Sequence, residues 1–479
     1  MTPAQQALVD AVAARFGPKA AVTDADAIAP WLNDWRGRYH GAAPAMLAPA
    51  SLDEVAVIVG LAHEGGVALV PQGGNTSMVG GATPPADGSA LILSLRRMNR
   101  IRAMDAGANL AVAEAGVILA DFHAAALEAG RRFPLTLGAK GSATIGGLVS
   151  TNAGGTQVLR FGTMRALVAG VEAVLPDGSI HDGLAALKKD NRGYDLNQLL
   201  IGAEGTLGVI TAASLRLVPA IASRAVAWVG LASPQAALDL LRRIDSPAIE
   251  SFEIVPGDSL ALVLEHIHGT RSPLEGNHPW HALIEAVSSD PAEEPAGALE
   301  ALLGDALEAG MIADAVVAVS EAQAEALWRI RDSLSEAERA SGPAVQHDIS
   351  VPVADMPRFM IEGAAEAEAR FPGTHATAFG HLGDGNVHFH VRAAPGADRD
   401  RFYAEEAPAI TRLVHDLVVA AGGSISAEHG IGQMKRAELE RLGPASRIAA
   451  LRAIKSALDP RGILNPGKLV RLAPEANTP

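Results

Sequence analysis

Apolar residues along this chain switch several times between helical spacing and strict alternation, and those switches outline its elements. From Met1 to Phe16, the residues Leu8, Val9, Val12 and Phe16 mark one face of an amphipathic helix. Near Ala45 a first organised unit opens. Ser51-Leu52-Asp53-Glu54 has capping-box spacing, and Val55, Ile58, Val59 and Ala62 continue a helix until Gly65-Gly66 stops it. Val67-Ala68-Leu69-Val70 then reads as a buried strand, and Leu167 to Leu175 as another, closed by the turn Pro176-Asp177-Gly178. After about Ala220 the texture changes to longer helical patterns with a few alternating strands. Glu250 to Val255 and Ala282 to Val287 predict strands of an antiparallel sheet, and Ser288 to Glu300 a loop entering a helix. Ala326 to Leu334 predicts a helix whose Leu327, Ile330 and Leu334 face a core. His375 to His381 and Val387 to Val391 pair as a hairpin through Leu382-Gly383-Asp384-Gly385-Asn386. Alternation places His388 and His390 on one face of it, with Val387, Phe389 and Val391 on the other.

A chain of 479 residues exceeds one ordinary core, so two or three domains are expected. Net charge of -15 argues against a nucleic-acid surface. With no cysteine, any metal must be held by histidine and carboxylate, and no disulfide or cysteine nucleophile is available. No segment approaches 18 uncharged apolar residues, and the N-terminal stretch has neither the basic front nor the unbroken apolar run of a secretory signal. The expectation is a cytoplasmic protein with no membrane span.

Two glycine-rich runs carry the first chemistry. Pro71-Gln72-Gly73-Gly74-Asn75-Thr76-Ser77-Met78-Val79-Gly80-Gly81 follows the first strand directly, and with so few large side chains its backbone N–H groups can face an anion. Taken alone it reads equally well as a surface loop. The second run, Leu137-Gly138 through Gly141-Ser142, Thr144-Ile145-Gly146-Gly147 and Ser150 to Asn152 and Gly155, shifts the balance towards backbone wrapped around a large flat ligand bearing phosphates. A third stretch, Glu204-Gly205 to Val209-Ile210, comes in the same order along the chain.

A second group of residues carries the other chemistry. His381 and His388 bracket the hairpin turn, and Glu428-His429 sits in a later glycine-rich turn. Two imidazoles and a carboxylate with open positions suit Zn²⁺, with Mn²⁺ or Fe²⁺ as alternatives. Arg331 reads either as a solvated helical cation or as a clamp on a substrate carboxylate.

With these motifs assembled, the chain resembles the FAD-binding flavoproteins of the vanillyl-alcohol oxidase and para-cresol methylhydroxylase superfamily over about residues 42 to 219. Across nearly its whole length it is similar to the FAD-linked D-2-hydroxy acid dehydrogenases. The further motifs are Phe252 to Val255, the Arg331 helix, His347 to Pro352, both histidine motifs and Leu464-Asn465-Pro466-Gly467-Lys468. The resemblance implies an α+β fold: a two-subdomain FAD module with an α+β cap carrying an antiparallel sheet. Its divisions would be 1–41 for an N-terminal helical segment, 42–219 for the FAD module, 220–420 for the substrate cap and 421–479 for a C-terminal helical segment returning to the flavin.

It further implies FAD along Pro71 to Met78, the Leu137 to Gly155 run, Glu204, Gly205, Val209, Ile210 and Asn465, non-covalently because the first loop has no histidine to tether it. The metal ligands would be His381, His388 and Glu428, with His429 the proton acceptor and Arg331 and Ser335 at the substrate. Gln346 stands where related enzymes often carry a substrate-contacting lysine, and His390 where several have asparagine. The implied reaction is metal-assisted hydride transfer from a D-2-hydroxy acid to flavin N5. D-2-hydroxyglutarate is the leading substrate, and D-lactate or another D-2-hydroxy acid stays open. The implied electron acceptor is an electron-transfer flavoprotein or a quinone, an oxidase using O₂ is the alternative, and a homodimer is compatible.

Overall fold

The computed structural model describes residues 1–472; residues 473–479 of the expected C-terminal segment lie outside the described residues. The chain folds into two compact units. The first comprises Met1–Gly155, Gly162–Pro219 and the residues from Glu428 onward, and the second comprises Thr156–Phe161 and Ala220–Ala427.

Among the described residues, the first unit holds two larger sheets and a two-stranded pairing of Arg131–Arg132 with Val218–Pro219. Strands β1 (Ala21–Val22), β2 (Met46–Leu47), β3 (Ala68–Gln72) and β4 (Ala90–Ser94) form a sheet in the order β1-β2-β4-β3, in which β2, β4 and β3 run parallel. Helix Leu52–Gly65 leads into β3 and buries Val55, Ile58, Val59 and Ala62, the predicted stripe. Its Ser51 Oγ accepts the Glu54 N–H at 3.2 Å, but Glu54 reaches back to the N–H of Ala50 (2.8 Å) rather than to that of Ser51. Strands β5 (Ile101–Asp105), β6 (Leu110–Glu114), β7 (Val168–Val174), β8 (Ile180–Asp182) and β9 (Val209–Arg216) make an antiparallel sheet in the order β5-β6-β9-β7-β8.

The second unit is built on one seven-stranded antiparallel sheet. Its strands are β10 (Ser223–Leu231), β11 (Ile249–Pro256), β12 (Trp280–Ser288), β13 (Asp314–Val317), β14 (Ala344–Ser350), β15 (His375–His381) and β16 (Asn386–Arg392), ordered β13-β10-β12-β11-β15-β16-β14. One face carries Phe252, Ile254, Ala378, Val387, Phe389 and Val391 in a large apolar layer shared with helices Pro234–Ile244, Pro295–Glu308, Met356–Arg370 and Ala407–Ala420. The other face packs Val255, Trp228, Leu283 and Phe379 against Leu327, Ile330 and Leu334. The helix predicted through Leu334 breaks at Ser333: Glu321–Asp332 ends there and Leu334–Ala340 begins a second helix.

The hairpin register is over-determined. Gly385 has φ +81, and a Cβ there would lie 2.2 Å from the carbonyl oxygen of Val351, so only glycine fits. Asp384 Oδ1 accepts the N–H of Asn386 at 2.9 Å, closing the turn. A one-residue slip would carry His388 and His390 into the apolar layer and expose Val387, Phe389 and Val391. The loss would be about 2 kcal/mol for each buried apolar side chain.

Candidate functional site

Directly opposed residues of an antiparallel pair share a face, so the registers line up a polar row across the second unit's sheet. Glu253 of β11 faces His381 of β15, Phe379 faces His388 of β16, and His388 in turn faces Asp348 of β14. One step along, Thr377, His390 and Gln346 are in register. Arg331 joins this face from helix Glu321–Asp332, where it is 8% exposed; the reading of it as a solvated cation is therefore set aside.

The hydrogen bonds fix the protonation of this group. Glu253, wholly buried, accepts from Arg331 Nε through Oε2 (2.7 Å) and from His381 Nδ1 through Oε1 (2.7 Å). Arg331 Nη2 lies 3.4 Å from His381 Nε2. A guanidinium only donates and a carboxylate only accepts, so His381 carries its proton on Nδ1 and presents a lone pair at Nε2. Burial pushes Glu253 upward, but Arg331 and His381 outweigh it and hold the carboxyl below the ordinary range.

The ring of His388 stands 5.5 Å from that of His381, edge to face. Burial first, then the neighbouring His381 and the Arg331 guanidinium, push His388 well below the usual imidazole range, against the opposing pull of Asp348. Phe379 is the apolar floor, with His388 and His390 at 5.3 and 5.0 Å centroid distance and the Arg331 guanidinium 5.8 Å above its ring. Gln346 Nε2 is buried with no hydrogen-bond partner among the described residues. Ser335 is partly buried in the helix that follows Arg331. Glu253, Asp348 and Phe379 were missed by sequence reasoning. The available signal was an acidic residue inside the otherwise apolar run Phe252 to Val255.

In the first unit the two glycine runs meet backbone to backbone. A Cβ on Gly73 would lie 2.1 Å from Thr144 Oγ1, and one on Gly74 would lie 1.8 Å from the carbonyl oxygen of Ser142. Asn75 holds φ +53 at the head of the turn, and Thr144 Oγ1 is buried without a hydrogen-bond partner among the described residues. Gly138 and Gly141 face open space, whereas Gly146 is packed on Ala115 and Gly155 on Thr136. Several expected cofactor contacts spend their side chains on the fold. Gln72 Nε2 donates to the carbonyls of Trp31 and Ala82, Asn152 Oδ1 accepts from the Arg165 N–H, and Asn465 Nδ2 donates to the carbonyls of Gly81 and Glu204. Pro71, Thr76, Ser77, Met78, Leu137, Ile145, Gly147, Ser150 and Gly205 fall on or beside the same turns, while Val209 and Ile210 are buried at the start of β9. Glu428 and His429 lie on a turn of this unit.

A backbone cradle that excludes Cβ atoms, with an orphaned buried hydroxyl beside it, fits the phosphates of FAD. Two imidazoles, one with a fixed Nε2 lone pair and one kept neutral, fit a divalent cation.

Comparison with known proteins places the chain first in a class. Residues 43–183 match the FAD binding domain, and residues 221–469 match the C-terminal domain of FAD linked oxidases. The p-cresol methylhydroxylase crystal structure superposes with a TM-score of 0.77 over 98% of both chains at 15% identity, which shows the shared fold. The chain belongs to the FAD-linked oxidase family and is an FAD-dependent dehydrogenase with the fold of the vanillyl-alcohol oxidase and p-cresol methylhydroxylase proteins. Among its relatives, the mitochondrial D-2-hydroxyglutarate dehydrogenase of Arabidopsis thaliana is 37% identical over 460 residues, covering 95% of this chain and 80% of that protein. The D-2-hydroxyglutarate dehydrogenase of Xanthomonas citri is 36% identical over 437 residues, 91% of each chain. No helix among the described residues is long and apolar enough to cross a membrane.

Proposed function

We propose that this dehydrogenase oxidises a D-2-hydroxy acid to the 2-oxo acid, with D-2-hydroxyglutarate, the substrate named for its relatives, as the leading candidate. The observation that carries the reading is the Arg331–Glu253–His381 chain beside His388 on one sheet face. When bound, FAD supplies a hydride acceptor at N5 and a divalent cation supplies a Lewis acid towards the α-hydroxyl and carboxylate.

The chain's own residues supply the rest. Glu253 fixes the His381 tautomer and spends one edge of the Arg331 fork, which holds the guanidinium in place as a carboxylate receptor. His381 and His388 act as neutral nitrogen ligands, and Glu428 is assigned as the carboxylate ligand. His429 takes the hydroxyl proton, work for which an imidazole is suited. Gln346 Nε2 and His390, in register on the same face, meet the distal part of the acid. An amide in that place selects a hydrogen-bond acceptor without supplying a charge. Electrons pass on to an electron-transfer flavoprotein or a quinone in this reading.

The test is turnover with a dye acceptor and D- or L-2-hydroxy acids, alongside metal content by elemental analysis. His388→Ala is expected to lose the metal together with at least about 100-fold in rate, at unchanged flavin content. Full turnover by metal-free protein would overturn the metal's part in the reading, and turnover of L-acids alone would overturn the substrate class.

A further inference from the structure

The reading of Glu204 as a cofactor contact leaves its carboxylate unexplained, because both side-chain oxygens are already taken. The N–H of Ile431 donates to Oε1 and the N–H of Gly432 to Oε2, each at 2.7 Å. Those amides lie two and three residues past His429. Glu204 is 7% exposed and holds φ +52, a left-handed conformation that a side-chain-bearing residue adopts only when its surroundings enforce it. The enforcement is visible: its N–H donates to the Ser150 carbonyl at 2.8 Å and its carbonyl accepts from Asn465 Nδ2 at 2.7 Å. One residue thus ties the second glycine run, the C-terminal Asn465 segment and the turn behind His429.

We propose that Glu204 is a positioning residue for His429, its carboxylate fork fixing the Gly430–Gly432 backbone from which the imidazole projects. The proposal rests on the reading of His429 as the proton acceptor. Glycine at 430 and 432 is what lets the clamp close. A Cβ on Gly430 would lie 3.0 Å from Glu204 Oε1, and one on Gly432 would lie 2.3 Å from the carbonyl oxygen of Val79. That same Val79 carbonyl accepts from Gln433 and Met434, and the Leu469 N–H donates to the Gly432 carbonyl, so the chain past His429 is held from several sides. Glu204 grips the amides of Ile431 and Gly432 with side-chain atoms. Two successive N–H groups aimed at one side chain need two acceptors. A carboxylate offers them, whereas a glutamine would turn an NH₂ donor towards one of the two amides. That requirement accounts for a buried anion where a neutral polar residue would be cheaper to desolvate. Burial still leaves the Glu204 carboxyl above its ordinary range, with the Ile431 and Gly432 N–H groups and then the charges of Lys435 and Lys468 pulling the other way.

The test uses the FAD-loaded holoenzyme. Glu204→Gln is expected to keep flavin content and KM within about 2-fold while kcat falls roughly 10- to 100-fold. Deuterium uptake should rise over 428–434 and stay unchanged over the His375–Arg392 hairpin. In a His429→Ala background the same substitution should cost less than about 2-fold, since a group acting through His429 has nothing left to position. Glu204→Asp, which keeps both acceptors on a shorter stem, should recover part of the rate. Wild-type kcat in Glu204→Gln, loss of FAD from it, a full further loss on top of His429→Ala, or Asp no better than Gln would each overturn the proposal. If His429→Ala itself turns over normally, the proton-acceptor reading falls instead. If His429→Ala is inactive while Glu204→Gln is not, only the positioning role falls.

Discussion

Glu253→Gln is the substitution whose consequences the geometry of the second unit fixes most tightly. Glu253 neutralises Arg331 in a site where the arginine is 8% exposed, and removing one partner of a buried ion pair typically costs about 3–5 kcal/mol. Glutamine retains an oxygen for Arg331 Nε, so the lower figure, about 3 kcal/mol, is expected. Its NH₂ group then faces His381 Nδ1–H, donor against donor. The ring can escape only by moving its proton to Nε2, which clashes with the Arg331 Nη2 donor 3.4 Å away and removes the lone pair a metal needs. Metal affinity should therefore fall about 10- to 100-fold.

Urea unfolding followed by tryptophan fluorescence reads the first effect, because Trp228, Trp280 and Trp328 belong to the second unit. With a slope of about 3 kcal/mol per molar, that unit's midpoint should drop by about 1 M. The pH dependence gives a sign check. Glu253 is held below its ordinary range, so its contribution is present above the unfolded carboxyl value of about 4.3 and is lost as pH falls through the folded value. The gap between native and variant proteins should therefore narrow below about pH 4. A midpoint shift under about 0.3 M with metal retention unchanged would refute the tautomer and ion-pair argument together.

Three further outcomes are expected. Gly74→Ala places a methyl 1.8 Å from the Ser142 carbonyl oxygen, so purified protein should carry at most about a tenth of the native flavin, read from absorbance near 450 nm. His281 accepts from Trp228 Nε1 at 3.1 Å, and burial with His278 nearby lowers its pKa to about 4. The unfolded chain binds a proton there below about pH 6.5 and the folded one does not. About 3 kcal/mol of stability present above pH 6.5 should thus be lost as pH falls to about 4, and unfolding of His281→Gln should show a flatter pH profile. Arg331→Lys cannot engage both Glu253 and a carboxylate as a planar fork. It should raise KM for the hydroxy acid at least about 10-fold, measured at saturating acceptor, while FAD content stays native.

How legible the site was depended on sequence separation. The hairpin could be read because alternation and a glycine turn are local, and the structure returns His388 and His390 on the face opposite Val387, Phe389 and Val391. The glycine runs could be read because their lack of side chains reflects the close approach at Gly73 and Gly74. Arg331 stayed ambiguous because its partner lies 78 residues away, and His381 is 128 residues from the same carboxylate. The β11–β15 pairing sets Glu253 opposite His381, and helix Glu321–Asp332, packed on that face, adds Arg331. The family resemblance implies Glu204 as a cofactor contact, while its side chain acts on amides more than two hundred residues along. The helix through Leu334 was read as continuous because its apolar spacing survives the break at Ser333.

The most direct measurement of the central claim is anaerobic titration of the flavin-loaded protein with paired D- and L-2-hydroxy acids, watching the 450 nm band before and after metal removal. The account predicts bleaching by D-2-hydroxyglutarate or another D-acid, none by its L-enantiomer, and loss of the response when the metal is stripped. Bleaching by L-acids alone, or equal bleaching without metal, would contradict it.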